Sequence, residues 1–312
     1  MTDELPPPRG PRAYSWFPGH MRKAMRLLEE KVDLADAVLW VVDARVVNSS
    51  RHPFLEQSLR QKGKSLVLVL NKADLAEEPV TRAWLRRLRD EGLLAAALAS
   101  TQGRGPGPLA GILEEVRRRV QAARHKQRLL PRDPRLVVAG IPNVGKSSLL
   151  NRLVGRGRAR TGARPGLTRG QQWVRLPGKW EVLDTPGILY PRIEGEQHLA
   201  ALAAAGNLPL EVIPVERAAG QLLARLRQLG RLGELVSDRE SPPPPEADPA
   251  ELLARCGGRR GFLLPGGEVD LVRTSRWLLG GFARGSLGAV SLERPDDPWP
   301  VREAAHHEPV DP

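Results

Sequence analysis

The sequence predicts an α/β fold, in which a six-stranded, mostly parallel sheet interleaved with helices is followed by a smaller helical domain. Three observations predict it. Continuous apolar runs ending in polar residues occur at 37 to 43 (AVLWVVD), 66 to 71 (LVLVLN), 93 to 100 (LLAAALAS) and 135 to 140 (RLVVAG), as expected of parallel strands covered on both faces. Helical stretches around 53 to 62 and 79 to 91 separate these runs, the alternation that builds a parallel sheet. Past residue 192 strand signals thin out and helical patterns recur at 197 to 205, 214 to 229, 248 to 256 and 269 to 283.

In chain order, residues 1 to 13 are rich in Pro and charge, lack the apolar core of a signal peptide and read as a disordered N-terminus. Met21, Met25, Leu28, Val32 and Ala35 fall at helical spacing, with Arg22, Lys23 and Arg26 turned elsewhere. Leu109, Ile112, Leu113, Val116 and Val120 define a helix drawn over 109 to 130. Its far end is basic, with Arg117, Arg118, Arg119, Arg124, Lys126, Arg128, Arg132 and Arg135. QWVRL at 172 to 176 and WEVLD at 180 to 184, on either side of Pro177-Gly178-Lys179, read as an antiparallel hairpin that brings the strands to six. Ser241 to Pro245 (SPPPP) cannot be helical throughout and reads as a loop. The domains are accordingly 14–192 for the sheet, 193–294 for the helical part and 295–312 for a Pro-rich disordered tail.

Lysines and arginines number 48 against 36 acids in 312 residues, giving a formal charge of +12 and an isoelectric point near 10.7. Such a surplus implies a polyanionic partner, nucleic acid first. Aromatic residues, at 4%, are too few for base stacking to dominate, which favours structured RNA held through its backbone and gives no reason to expect DNA. Cys256 is the single cysteine, which leaves no intramolecular disulfide or Cys-cluster zinc site and fits a cytoplasmic protein. No apolar run approaches the ~18 residues of a membrane span.

The chemistry concentrates in five segments. Gly140-Ile141-Pro142-Asn143-Val144-Gly145-Lys146-Ser147 fits G-x-x-x-x-G-K-[ST], follows a predicted strand and opens a helix beginning Ser148-Leu149-Leu150. Its glycines let backbone N–H groups turn inward on phosphate, Lys146 reaches the β and γ phosphates, and the Ser147 hydroxyl ligates Mg²⁺. Asp184-Thr185-Pro186-Gly187 ends the second hairpin strand; Asp184 would hold Mg²⁺ through water and the Gly187 N–H would sense the γ-phosphate. Thr168, with Thr161 as the alternative, would complete the Mg²⁺ shell in the triphosphate state. Asn71-Lys72-Ala73-Asp74 ends the strand LVLVLN: the Asp74 carboxylate matches the N1–H and N2 donors of guanine and would be left unpaired against adenine, Lys72 covers the base, and Asn71 ties this loop to the phosphate loop. Ala99-Ser100 follows the next strand, where a backbone N–H would read the guanine oxygen. Together these residues predict a GTP/GDP site.

Small Ras-like GTPases run phosphate loop, switch threonine, D-x-x-G, N-K-x-D; here N-K-x-D comes first. The sequence therefore predicts a circularly permuted Ras-like P-loop GTPase domain, in which helix 109 to 130 joins the old termini and the D-x-x-G switch runs directly into the helical domain. With Trp16-Phe17-Pro18-Gly19-His20-Met21, Asp43-Ala44-Arg45, Pro165 to Thr168 and Gln171-Gln172-Trp173-Val174, this order resembles the ribosome biogenesis GTPase A (YlqF) family over nearly the whole chain.

That resemblance implies a GTPase acting late in assembly of the large ribosomal subunit, whose helical domain helps bind ribosomal RNA; separately, a monomer off the membrane is expected. Position 188 is Ile, so the glutamine that orients the attacking water in Ras-like enzymes is missing. The resemblance offers His20 for that role, the alternative being a helix cap near residue 21 or an RNA contact. Asn143 resembles the phosphate-loop residue that, in potassium-activated GTPases, helps hold K⁺ beside the phosphates in place of an arginine finger. Arg152, Arg156, Arg158, Arg160, Arg164 and Arg169, near the switches, are read with the basic helix as RNA contacts.

Overall fold

The structure is a computed structural model, and it describes residues 13–14, 28–103, 105–154, 174–176, 180–184, 193–236, 243–244 and 246–299. Along these residues run β1 (Ala13–Tyr14), helix α1 through 28–34, β2 (Ala37–Asp43), α2 (Val47–Ser50), α3 (Pro53–Gln61), β3 (Ser65–Asn71), α4 (Glu78–Asp90), β4 (Leu94–Leu98), α5 (Ala110–Lys126), β5 (Arg135–Gly140), α6 (Lys146–Val154), β6 (Val174–Leu176) and β7 (Trp180–Asp184). Then come β8 (Ile193–Glu194), α7 (Gly195–Ala204), α8 (Val215–Gln228), α9 (Pro249–Arg259) and α10 (Leu271–Arg284). They divide into a sheet unit, built on 28–184 with 287–296, and a helical unit, built on 193–286 with 13–14 and 297–299.

The sheet has the order β4-β3-β2-β5-β7-β6. Its first five strands run parallel, and β6 is antiparallel to β7. Every residue of β2 is buried, which is why its sequence shows no alternation. Winding outward from β2 through β3 to β4 and from β5 through β7 to β6 puts the topological switch between β2 and β5, where open α/β sheets bind ligands at the strands' carboxyl ends. β2 ends there in Asp43 and β5 in Gly140.

Helix α5 stops at Lys126, short of the 130 drawn from sequence. Only Leu113 and Val116 of this helix are buried, so nothing anchors its far end in the core. The chain turns at Arg128, with φ of 56°, and the turn is closed by bonds from the Leu129 N–H and an Arg124 Nη to Arg124 O and Leu130 O. Several arginines of the basic stretch are held locally: Arg117 by Glu114, Arg119 by Glu115, Arg132 by Asp36 and Arg135 by Glu181. Arg118, Lys126 and Arg128 are exposed.

In the helical unit, α7, α8, α9 and α10 pack together. α7 is buried on all faces from His198 to Ala204, the pattern of a central helix. Close helix approach is set by small residues: a Cβ on Gly220 would lie 2.9 Å from Pro249, and one on Gly257 would lie 2.4 Å from both Thr274 Oγ1 and Val269 Cγ1. Asp248 and Asp270 cap α9 and α10, accepting from the backbone N–H groups of Glu251 and Arg273. An unforeseen two-stranded turn, bridged at Leu263 and Val269, joins these helices.

The far end of the chain is arranged differently from the boundaries drawn in the sequence at 193–294 and 295–312. Residues 287–296 group with the sheet unit. There Val290, Ser291, Leu292 and Glu293 are buried, their backbone bonded to residues of the β2 and β3 loops. Residues 297–299 are anchored in the helical unit: Asp297 pairs with Arg225, whose guanidinium lies 4.8 Å from the centre of the Trp299 ring. Apolar residues at 290, 292 and 299 give this Pro-rich stretch surface to bury, which composition alone conceals.

A candidate nucleotide-binding site

The loop 141–145 leaves β5 at the switch point and enters α6 at Lys146. Gly140 sits against β2, where a Cβ would lie 2.4 Å from Val41 O. Gly145, at φ of 97°, has Asn71 Nδ2 where a Cβ would be, at 2.2 Å. Asn143 is left-handed at φ of 59° and exposed, Val144 is buried, and Ser147 is exposed in the first turn of α6 with Ser148 beside it. Lys146 is buried along its stem and donates from Nζ to Ile141 O at 2.9 Å, across the loop it would share with a phosphate.

Asn71 ties this loop to the segments that the sequence predicts to read the base. Its Nδ2 donates to Val144 O at 2.7 Å, and its Oδ1 accepts the Ser100 N–H at 2.9 Å. One buried side chain thus joins the phosphate loop, the end of β3 and the loop after β4. Residues Ala73–Leu75 form a single 3₁₀ turn after Lys72, which is left-handed at φ of 57°. Asp74 is exposed in that turn, and Gln102 Nε2 donates to its Oδ2 at 3.0 Å. Ala99 lies in the following loop beside Ser100.

Asp43, at the end of β2, is a supporting group whose part in the site the sequence does not reveal. It is fully buried, accepts from Arg45 Nε at 2.9 Å and Nη2 at 2.8 Å, and pairs with Lys72 Nζ at 2.9 Å. Burial alone would raise its pKa, but the charges and hydrogen bonds of Arg45 and then Lys72 outweigh this and hold it down at about 2. Arg152, which the sequence groups with the RNA contacts, is instead turned inward. Its guanidinium donates to the carbonyls of Gly105 at 2.9 Å, Ala99 at 2.7 Å and Gln102, holding the 99–105 loop to α6. Sequence shows a charge and its neighbours in the chain, not a partner 50 residues away.

Asp184 is the last residue of β7, paired in register with Val138 of β5, which brings its backbone alongside the strand that leads into the phosphate loop. His20, Thr161, Thr168 and Gly187 lie outside the described residues, as do Arg156, Arg158, Arg160, Arg164 and Arg169. A nucleotide fits the residues present. Backbone approach at Gly145, a buried lysine at the start of α6 and a carboxylate two residues past a left-handed lysine are what a phosphate at one end and a hydrogen-bonding base at the other require. The oxygen donors Ser147 and Asp184 are of the kind that suits Mg²⁺.

This fold and phosphate loop define the class: a P-loop GTPase. A family model described as a 50S ribosome-binding GTPase matches residues 135–233. The chain is 37% identical over 284 residues to the ribosome biogenesis GTPase A of Bacillus licheniformis, covering 90% of this chain and 98% of that protein. It is 31% identical over 294 residues to the Thermotoga maritima protein of the same name, covering 93% and 97%. It also resembles a crystal structure of GNP-bound YlqF from T. maritima, with a TM-score of 0.63 at 27% identity over 88% of this chain and 99% of that one. The chain belongs to the ribosome biogenesis GTPase A family and hydrolyses GTP.

Proposed function

We propose that this GTPase is an assembly factor for the large ribosomal subunit that binds pre-ribosomal RNA in its GTP state and is released after hydrolysis. The observation that carries this reading is the joining of the phosphate loop and the guanine motif through Asn71, in a chain whose relatives are named for ribosome biogenesis. Asn71 to Asp74 and Ala99-Ser100 read the base. Asn143 to Ser148 and Gly187 surround the phosphates. Ser147, Thr168 and Asp184 hold Mg²⁺, which would neutralise charge on the β and γ phosphates. K⁺ at Asn143 and a water positioned by His20 supply what the absent glutamine does not.

The motif order, set beside the strand order β4-β3-β2-β5-β7-β6, supports a circularly permuted domain; our reading places it in the cytoplasm as a monomer. Among the described residues no helix is long and apolar enough to cross a membrane. RNA binding is supported in each unit separately. The sheet unit exposes Arg118 and Lys126 on α5 and Arg128 in the turn that follows it. The helical unit exposes Arg260 and Arg273, lying 4.3 Å and 4.6 Å from the ring centres of Trp277 and Phe262, flat cationic surfaces of the sort that meet phosphates and bases.

Co-sedimentation with large subunits, comparing a non-hydrolysable GTP analogue with GDP, tests this. Retention with the analogue alone, falling steeply as salt rises, is expected. Equal retention with both nucleotides would contradict nucleotide-controlled docking.

A further inference from the structure

Residues 287–296 form a strap that follows α10 after two residues and is bonded on both sides of the guanine motif. On one side, the Val290 N–H donates to Leu75 O at 3.1 Å and the Glu77 N–H donates to Ser291 Oγ at 3.0 Å, directly after Asp74. On the other, the N–H groups of Leu292 and Glu293 donate to Arg45 O at 2.9 and 3.2 Å. Arg45 holds Asp43, and Asp43 holds Lys72. The strap is itself fixed by Glu293, whose buried carboxylate accepts from the Ser49 N–H at 3.1 Å and from its hydroxyl, while Trp84 Nε1 donates to Glu293 O at 3.1 Å.

These contacts converge on a residue that needs them. Lys72 is left-handed, a conformation that side-chain-bearing residues adopt at a cost and that persists only where the surroundings over-determine it. Those surroundings are the Asp43 carboxylate, which meets the Lys72 ammonium at 2.9 Å, and the 3₁₀ turn, where the Leu75 N–H donates to Lys72 O at 2.9 Å. The strap bonds to Arg45, which holds that carboxylate, and to Leu75, which closes that turn.

We propose that the strap 287–296 is a positioning element for guanine-nucleotide binding, holding the 71–75 loop in its base-reading form through Arg45, Leu75 and Glu77. The inference rests on the reading of residues 71–74 as the base contact. It also gives the helical unit a second covalent link to the nucleotide site: the chain leaves the sheet unit after β7, at the magnesium switch, and returns through the strap to the base end. A partner that engages the helical unit and draws on the strap would lower nucleotide affinity without touching the phosphates.

Two full-length variants test this. Val290→Pro removes the N–H that bonds Leu75 O, whatever else the strap does, and Ser291→Ala removes the acceptor for Glu77 as a milder change. Dissociation of a fluorescent GDP analogue is expected to accelerate roughly tenfold in Val290→Pro and severalfold in Ser291→Ala. KM for GTP should rise with it, while turnover at saturating GTP stays within about twofold, a division between binding and chemistry that general loss of structure would not give. Unchanged GDP release in Ser291→Ala, together with either unchanged release or no separation of KM from turnover in Val290→Pro, would overturn the proposal. Asp74→Asn separates the two readings: it should shift preference from guanosine to xanthosine diphosphate, because an amide donor matches the 2-oxygen that xanthine carries in place of guanine's amino group. If guanine remains preferred, the base-contact reading fails and the strap proposal fails with it.

Discussion

Gly145 has no room for a side chain. A Cβ would lie 2.2 Å from Asn71 Nδ2 and would need a φ of 97°, so Gly145→Ala must break the bond from Asn71 to Val144 O or distort the phosphate loop. GDP affinity should fall by about a hundredfold or more in calorimetry, with circular dichroism unchanged. His52 makes a different prediction, about stability. It is buried, caps α3 by accepting the Leu55 N–H at Nδ1, and burial lowers its pKa to about 4, against smaller opposing contributions from its own backbone hydrogen bond and Glu56. Because the folded value lies below the unfolded 6.5, the unfolded chain takes up the proton first as pH falls. Stability should therefore drop from pH 7 towards 4, by up to about 3 kcal/mol. His52→Asn, which keeps a cap acceptor, should flatten the pH 7 to 5.5 part of a urea-midpoint profile. At this scale the sequence is legible wherever a motif fixes spacing, as in the phosphate loop and N-K-x-D. It is silent on Asp43 as a hub, because a buried carboxylate at a strand end looks like any strand terminus until Arg45 and Lys72 are seen to converge on it.

Among the elements, α6 does two things: its first turn carries Lys146 and Ser147 of the phosphate-loop motif, and Arg152 in its last turn grips the 99–105 loop. Arg152→Ala removes charged donors to three carbonyls, each such bond worth about 1.5–3 kcal/mol where it is protected from water. The loop that presents Ser100 should loosen, and guanine-nucleotide affinity should fall about tenfold with RNA binding unchanged. A loss of RNA binding at intact nucleotide affinity would restore the surface role that its charge alone suggests. Buried parallel strands are legible because burial on both faces writes itself as an apolar run, and the β2 and β5 bounds read from sequence match those observed. The end of α5 is not, since helical propensity continues past Lys126 while burial stops at Val116. Nor is the strap, whose carboxylate at Glu293 meets Ser49 across 244 positions of chain that no local pattern can relate.

Across the whole molecule, a net charge of +12 suits a polyanionic partner, and the proposed nucleotide control would link affinity for it to the state of one site. The sheet unit holds the phosphate loop and both base loops, and the helical unit is inserted between β7 and the strap. Hydrolysis that is slow alone and fast on the ribosome would make such a chain wait until its subunit is ready. Steady-state GTP turnover, measured with and without large ribosomal subunits at equal Mg²⁺ and K⁺, tests this most directly. An assembly factor triggered by its own subunit should show at least about tenfold stimulation by large subunits, and none by small subunits or by free RNA of similar charge. Turnover unchanged by large subunits, or stimulated equally by any polyanion, would contradict it.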